Sequence, residues 1–316
     1  MDSKFTVPLI LLLSIVAAAR VPLSSSDRSP FAAEAHWKTV LPDTAMPVVI
    51  NELLHPSKEG RSTGNIIVDS GSNQNYQYVK LNFRREIPDA TLFFLEDDLK
   101  RPGTRMHIQL TKRMSDSAVF LPQSEAKSIP FSTADLPNTL SRFSIQPKSK
   151  LALLMQQTLL QCEAPPLRSE VKHCATSLES IVDFTVNELG TNKGVQAMTT
   201  VLEDRTAAPE NSPYKWYTVA GTAKEVSDAK TKTVNCHPVT YAYVSYYCHS
   251  LARTRTYVVP FVGDDGTKAE AMVVCHTDTS RWDPNHISFQ MLRGVKPGTV
   301  PICHTLAEDT LVWMTS

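Results

Sequence analysis

The sequence predicts an α+β protein: a single C-terminal domain in which a central pair of helices precedes antiparallel, cysteine-linked strands. Three observations predict it. From Lys215 to the C-terminus, short runs of β-branched and aromatic residues alternate with turn signals. In the middle of the chain, two segments carry helical patterns without an internal glycine or proline. All six cysteines stand at or beyond Cys162, so the first half of the chain has to fold, or stay loose, without them.

The elements follow in order. Pro47 to Leu54 (PVVINELL) reads as a short amphipathic helix inside an otherwise linker-like region, where PSKEGRSTG (Pro56 to Gly64) and Asp69-Ser70-Gly71-Ser72-Asn73 are turn material. Residues 20–91 are therefore expected to be an N-terminal extension of limited order. Thr91 to Leu95 and Arg105 to Thr111 read as strands, with Lys100-Arg101-Pro102-Gly103 as the turn between them and Glu96-Asp97-Asp98 as a solvated turn. Lys150 to Glu163, rich in leucine, methionine and glutamine, predicts the first central helix. Thr176-Ser177-Leu178-Glu179 has capping-box spacing and opens the second, which Gly190 stops. Lys215 to Ala223 is a strand, and Thr256 to Val262 with Glu270 to Cys275 form a hairpin around Gly263-Asp264-Asp265-Gly266. His286 to Leu292 and Leu311 to Met314 complete the strands.

Compartment and partners can be read from the ends and the charges. Lys4, the apolar run Phe5 to Val16 and the small residues Ala17-Ala18-Ala19 have the form of a secretory signal peptide, expected over residues 1–19. No second apolar stretch reaches the roughly 20 residues that cross a bilayer, and no lysine or arginine cluster marks a nucleic-acid partner. Lys+Arg and Asp+Glu both total 32, so net charge favours no polyanion. There is no N-glycosylation sequon, no glycine-rich phosphate loop and no Gly-x-Ser-x-Gly elbow. A secreted chain with an even number of cysteines is expected to oxidise them into disulfides, with the connectivity open.

The feature that carries chemistry is a repeated dipeptide. Cys-His occurs at Cys236-His237, Cys248-His249, Cys275-His276 and Cys303-His304, separated by 10, 25 and 26 residues. On extended strands, neighbouring side chains point to opposite faces. The cysteines can then join strands on one side while the imidazoles converge on the other. Four imidazoles without thiolates suit copper(II), with zinc or nickel as competitors. A zinc finger lacks its paired-cysteine spacing here. The plain alternative is that the cysteines make structural bridges and the histidines merely sit beside them. His36, His55, His107 and His286 lie outside the pairs and read as structural or exposed, and His173, which precedes Cys174, as at most a minor neighbour of a metal.

This four-pair pattern resembles the signature of the plant BURP-domain family, and the likeness covers about 225 residues, 92–316. Thr91 to Leu99 (TLFFLEDDL), Cys162-Glu163, Cys174 to Phe184 (CATSLESIVDF) and Val295 to His304 (VKPGTVPICH) resemble further family blocks. Ala35 to Leu54 resembles the short tryptophan-containing module that precedes many such domains. The resemblance implies His237, His249, His276 and His304 as copper ligands, with Cys236, Cys248, Cys275 and Cys303 as disulfide staples. Cys162 and Cys174 remain for a third bridge, though connectivity is not readable from sequence. Some family members are copper- and dioxygen-dependent cyclases acting on a core peptide in their own chain. Residues 20–91 hold no internal repeat, and Gln74, Tyr76 and Tyr78 are the candidates left for such a peptide. Other members have extracellular, cell-wall or seed roles. The leading expectation is a secreted, copper-binding member of the short-extension type in the apoplast, cell wall or seed storage compartment. Its role would lie in development or stress response; the sequence names no partner, and cell-wall components are the candidates the resemblance offers. Autocatalytic cyclisation is the alternative.

Overall fold

The computed structural model describes residues 30–55, 90–115, 118–166, 170–203 and 213–316. The expected signal peptide and Gln74, Tyr76 and Tyr78 lie outside these residues. Two helices open the described chain, α1 (Pro30–Val40) and α2 (Val48–Leu54). The second is the helix predicted from PVVINELL, and it buries Val49, Ile50, Leu53 and Leu54. Residues 30–55 are thus ordered parts of the core, where the sequence had suggested an extension of limited order.

The next segment departs from its sequence reading. The strand β1 is only Phe94–Leu95, and it is followed directly by a helical turn, α3 (Glu96–Leu99), then β2 (Arg105–Ile108). Asp98 Oδ2 accepts the Leu95 N–H at 3.0 Å and so caps the turn. Glu96 does not face solvent as expected. It is 7% exposed and accepts from Arg255 Nη1 at 2.7 Å and from the Tyr257 hydroxyl at 2.5 Å. Burying that carboxylate is tolerable because both bonds satisfy it. The turn at Lys100 to Gly103 also fails to pair its flanking strands, which go to different neighbours.

Two short helices, α4 (Gln123–Lys127) and α5 (Leu136–Arg142), precede the predicted central pair. The pair is α6 (Lys150–Glu163) and α7 (Leu178–Leu189), separated by β3 (Glu170–Ala175). The cap of α7 is Ser177 and not Thr176, its hydroxyl accepting the Ser180 N–H at 3.2 Å. Gly190 ends the helix at φ +73°, a left-handed conformation that a residue without Cβ takes at no steric cost. His286 to Leu292 is a helix and not a strand: α8 (Ile287–Met291), capped by His286. The alternation Ile287, Phe289, Met291 has the period of a strand, yet the segment forms a helical turn whose Ser288 N–H donates to the His286 imidazole.

The remaining strands are β4 (Val195–Met198), β5 (Val201–Leu202), β6 (Lys215–Val219), β7 (Lys224–Ser227), β8 (Thr233–Val239), β9 (Ser245–Leu251), β10 (Thr254–Gly263), β11 (Lys268–His276), β12 (Ile302–Thr305) and β13 (Leu311–Thr315). They form two antiparallel sheets where the sequence suggested one. The first runs β1-β12-β11-β10-β6-β2, with β5 beside β11 and β7 beside β10; the second runs β3-β9-β8-β13-β4. The predicted β10–β11 hairpin is present, and Gly266 takes φ +85° in its turn.

Each sheet has a private face and a shared one. Cys236, Leu311 and Trp313 of the second sheet pack with the helices, while Cys275, Cys303 and Val273 of the first pack with Phe94, Leu99 and Met106. Between the sheets, Met272 and Val274 meet Val312, Met314 and Leu306. Because side chains alternate along a strand, this shared face is also where every second residue of the Cys-His pairs must project.

Candidate metal centre

The cysteines pair locally. Cys236 stands opposite Cys248 across β8 and β9, and Cys275 opposite Cys303 across β11 and β12. Both couples are disulfides, and Cys162–Cys174 is the third, linking the end of α6 to β3. No free cysteine occurs among the described residues, so no thiolate is available as a ligand there.

Register sends the histidines to the inter-sheet face. Asn235 is paired with both Val312 and His249, and His237 is two residues along from Asn235 on the same strand. Val274 is paired with His304, and His276 follows it by two. His237 and His249 of the second sheet therefore face His276 and His304 of the first. The Nε2 atoms of His237 and His249 lie 3.3 Å apart. The ring centroids of His237 and His304 are 6.2 Å apart, and those of His276 and His304 are 5.6 Å apart and stacked. Among the described residues, no three His, Cys, Asp or Glu side chains are already gathered around one point as a ligand set.

Burial and neighbouring cationic groups favour the neutral form of three of these rings. Burial pushes His237 and His276 well below the ordinary histidine value, and the neighbouring imidazoles push further. His304 is lowered to about 4, again mainly by burial, with Arg113 and His249 contributing. A neutral imidazole offers one nitrogen lone pair. His249 Nδ1 donates to Glu170 Oε1 at 3.0 Å, leaving Nε2 as the acceptor. Tyr247 donates to the same carboxylate oxygen at 2.7 Å. Such a carboxylate behind a histidine fixes tautomer and ring orientation. His304 Nδ1 lies 3.3 Å from the Thr305 carbonyl, which likewise frees Nε2.

Several neighbours were not legible as such. Glu170 reaches the centre only because β3 pairs with β9, placing Lys172 opposite His249. His286 lies near His304 and is itself lowered to about 4, mainly by burial. Its ring is 4.5 Å from Trp282 and 5.7 Å from Phe93, and Trp282 is 5.2 Å from His276. Of these residues, Phe93 and His286 fall in segments the sequence had marked, TLFFL and His286 to Leu292, and neither was marked as part of a site. The remaining histidines are elsewhere: His173 bonds Ser180 Oγ at 2.7 Å, His36 pairs with Asp183, His55 with Glu34, and His107 stacks on Trp216.

A helix-backed, two-sheet domain with bridged Cys partners outside and four histidines between the sheets defines the class of this protein. Residues 92–315 match the BURP domain model, and the chain belongs to the BURP domain family. It is 46% identical over 230 residues to BURP domain-containing protein 3 of Oryza sativa subsp. japonica, covering 72% of this chain and 52% of that protein. With BURP domain-containing protein 5 of the same rice it shares 38% identity over 307 residues, 94% of this chain and 90% of the relative. With BURP domain protein RD22 of Arabidopsis thaliana it shares 42% over 229 residues, 72% and 56% respectively. The match thus spans about half the length of two of these plant relatives and nearly all of the third. No helix among the described residues is long and apolar enough to cross a membrane, and the disulfides are those of an oxidising compartment.

Proposed function

We propose that the protein is secreted and that His237, His249, His276 and His304 together bind one copper ion in an extracellular role. The observation that carries this reading is the convergence of four imidazoles from two sheets, three of them buried and His304 half-buried, with every described cysteine bridged. Nitrogen donors without thiolate favour a borderline divalent ion. The Glu170 carboxylate behind His249 supports it, because a histidine that merely filled space would not need its tautomer fixed. The Cys236–Cys248 and Cys275–Cys303 bridges lie beside the four histidines that would hold the ion. Bound copper would supply one-electron exchange; the protein's part is to orient the ligands, hold them unprotonated and exclude water. Peptide cyclisation ranks second, since residues 20–91 hold no internal repeat and leave only Gln74, Tyr76 and Tyr78 as candidates for a core peptide.

Metal analysis of the oxidised, copper-reconstituted full chain tests the reading. One copper per chain, lost when His237 and His249 both become alanine, is expected; a chain without stoichiometric copper overturns it. A peptide map of the same sample after exposure to dioxygen separates the roles, because cyclisation removes two hydrogens from a fragment within residues 20–91 and an extracellular binding role leaves the map unchanged.

A further inference from the structure

The helix pair α1–α2 is tied within itself as well as to the domain. Trp37 Nε1 donates to the Thr44 carbonyl at 2.9 Å, closing the turn after α1. Glu34 takes both Lys38, one turn along, and His55, just past the end of α2. The pair is braced at its start, its middle and its end.

This unit then fits a surface made of α7, β4 and β13. The Trp37 ring is 5.3 Å from Trp313 of β13, and the two rings are 2% and 0% exposed. Ala33, Leu41, Val49, Ile50, Leu53 and Leu54 join the same apolar cluster as Ile181, Val182 and Val195. Polar contacts fix the register: Thr44 Oγ1 donates to the Val195 carbonyl at 2.7 Å, Asn192 Nδ2 to the Val40 carbonyl at 3.1 Å, and the Phe120 N–H to the Leu53 carbonyl at 3.1 Å. His36 with Asp183 at 2.7 Å and Lys112 with Glu52 at 3.7 Å lie at the rim. A central aromatic pair, an apolar surround and a polar rim are the anatomy of a protein–protein interface.

We propose that this face is a binding surface for a tryptophan-bearing helix pair, occupied in cis by residues 30–55, and that it holds its ligand without chain continuity. Cutting the chain between the module and the domain leaves a two-piece protein, with Trp37 as the anchor and the ties to Val195 and Asn192 setting its register. Nothing in this depends on whether the histidines bind copper.

The test uses the full chain with a site-specific protease sequence inserted between Gly64 and Asn65. After cleavage, the protein is passed over a sizing column in native buffer, and a denaturing gel reads whether the N-terminal fragment travels with the domain. Co-elution at roughly micromolar protein, a dissociation constant of about 1 μM or tighter, is the expected result. Separation of the fragment at that concentration overturns the proposal. Trp37→Ala in the cleaved protein should weaken retention roughly 30-fold or more, as for a central aromatic anchor. Asn192→Ala, which removes one peripheral bond, should weaken it roughly 5-fold and serves where Trp37→Ala does not fold. Retention unchanged by either substitution would mean that the fragment is held elsewhere.

Discussion

Removing the Cys275–Cys303 bridge separates what the cysteines do from what the histidines do. Both sulfurs are fully buried on the private face of the first sheet, so the double change Cys275→Ala with Cys303→Ala introduces no buried hydroxyl. The bridge closes a sequence separation of 28 residues. On the chain-entropy model, that restriction of the unfolded state contributes about 3.6 kcal/mol, against about 2.8 for the separation of 12 closed by Cys236–Cys248 or Cys162–Cys174. For a folded unit the size of the domain over residues 92–315, about 3.6 kcal/mol corresponds to a fall of about 7 to 14 °C in Tm. Urea unfolding followed by far-ultraviolet circular dichroism measures it as a lower midpoint. Copper titration of the folded variant then reads the site, where freeing β11 from β12 should weaken binding about 10-fold or more by loosening His276 and His304. The variant lacking Cys162–Cys174 is the control, with its stability loss but unchanged copper affinity. A Cys275/Cys303 variant destabilised as expected that still binds copper as tightly as the parent would refute the view that the bridges position the imidazoles.

Three further outcomes follow from single contacts. Glu170→Gln should weaken copper binding about 10- to 100-fold while leaving the fold intact, because Nδ1 of His249 then faces a neutral amide in place of an acceptor-only carboxylate; a competition titration with a copper chelator measures it. Asp265, lowered to about 2 chiefly by its bond from Lys215, contributes stability that is full above its unfolded value of 3.8 and is lost as pH falls toward 2. Its carboxylate is 39% exposed, so solvent screening reduces the contribution to about 1 kcal/mol, and Asp265→Asn should cost that much at neutral pH and nothing once the pH is well below the folded value. Gly190→Ala meets no atom within 4 Å, so its cost of about 1 kcal/mol, read by urea midpoint, is purely that of the left-handed backbone.

The fold was legible wherever one physical signal dominated. Helix α6 came from a long glycine-free run, the β10–β11 hairpin from Gly263-Asp264-Asp265-Gly266, and the opposition of cysteine and histidine from strand alternation. Local signals misled where long-range pairing decided the outcome. Glu96-Asp97-Asp98 looks solvated because it is acidic, yet Arg255 and Tyr257, far along the chain, satisfy Glu96 in the interior. The division into two sheets was hidden for the same reason, since β12 and β13 are neighbours in sequence and join different sheets. Glu170, Trp282 and His286 reach the histidines only through β3 pairing and the placement of α8, and no spacing rule announces either.

The two-sheet arrangement gives the proposed copper a structural consequence that a one-sheet site would lack. His237 and His249 belong to one sheet, His276 and His304 to the other, and the apolar contact between the sheets is carried by few residues, among them Met272, Val274, Val312 and Met314. An ion held by all four rings would therefore tie together surfaces that side-chain packing joins modestly. Linkage requires that free copper at 1,000 times its dissociation constant add about 4.1 kcal/mol to stability. If both sheets supply ligands, His276→Ala with His304→Ala should remove most of that copper-dependent gain in urea midpoint, even though His237 and His249 remain 3.3 Å apart. If copper stabilises this variant as much as the parent, the ion rests on the second sheet alone, and the histidines of the first are packing.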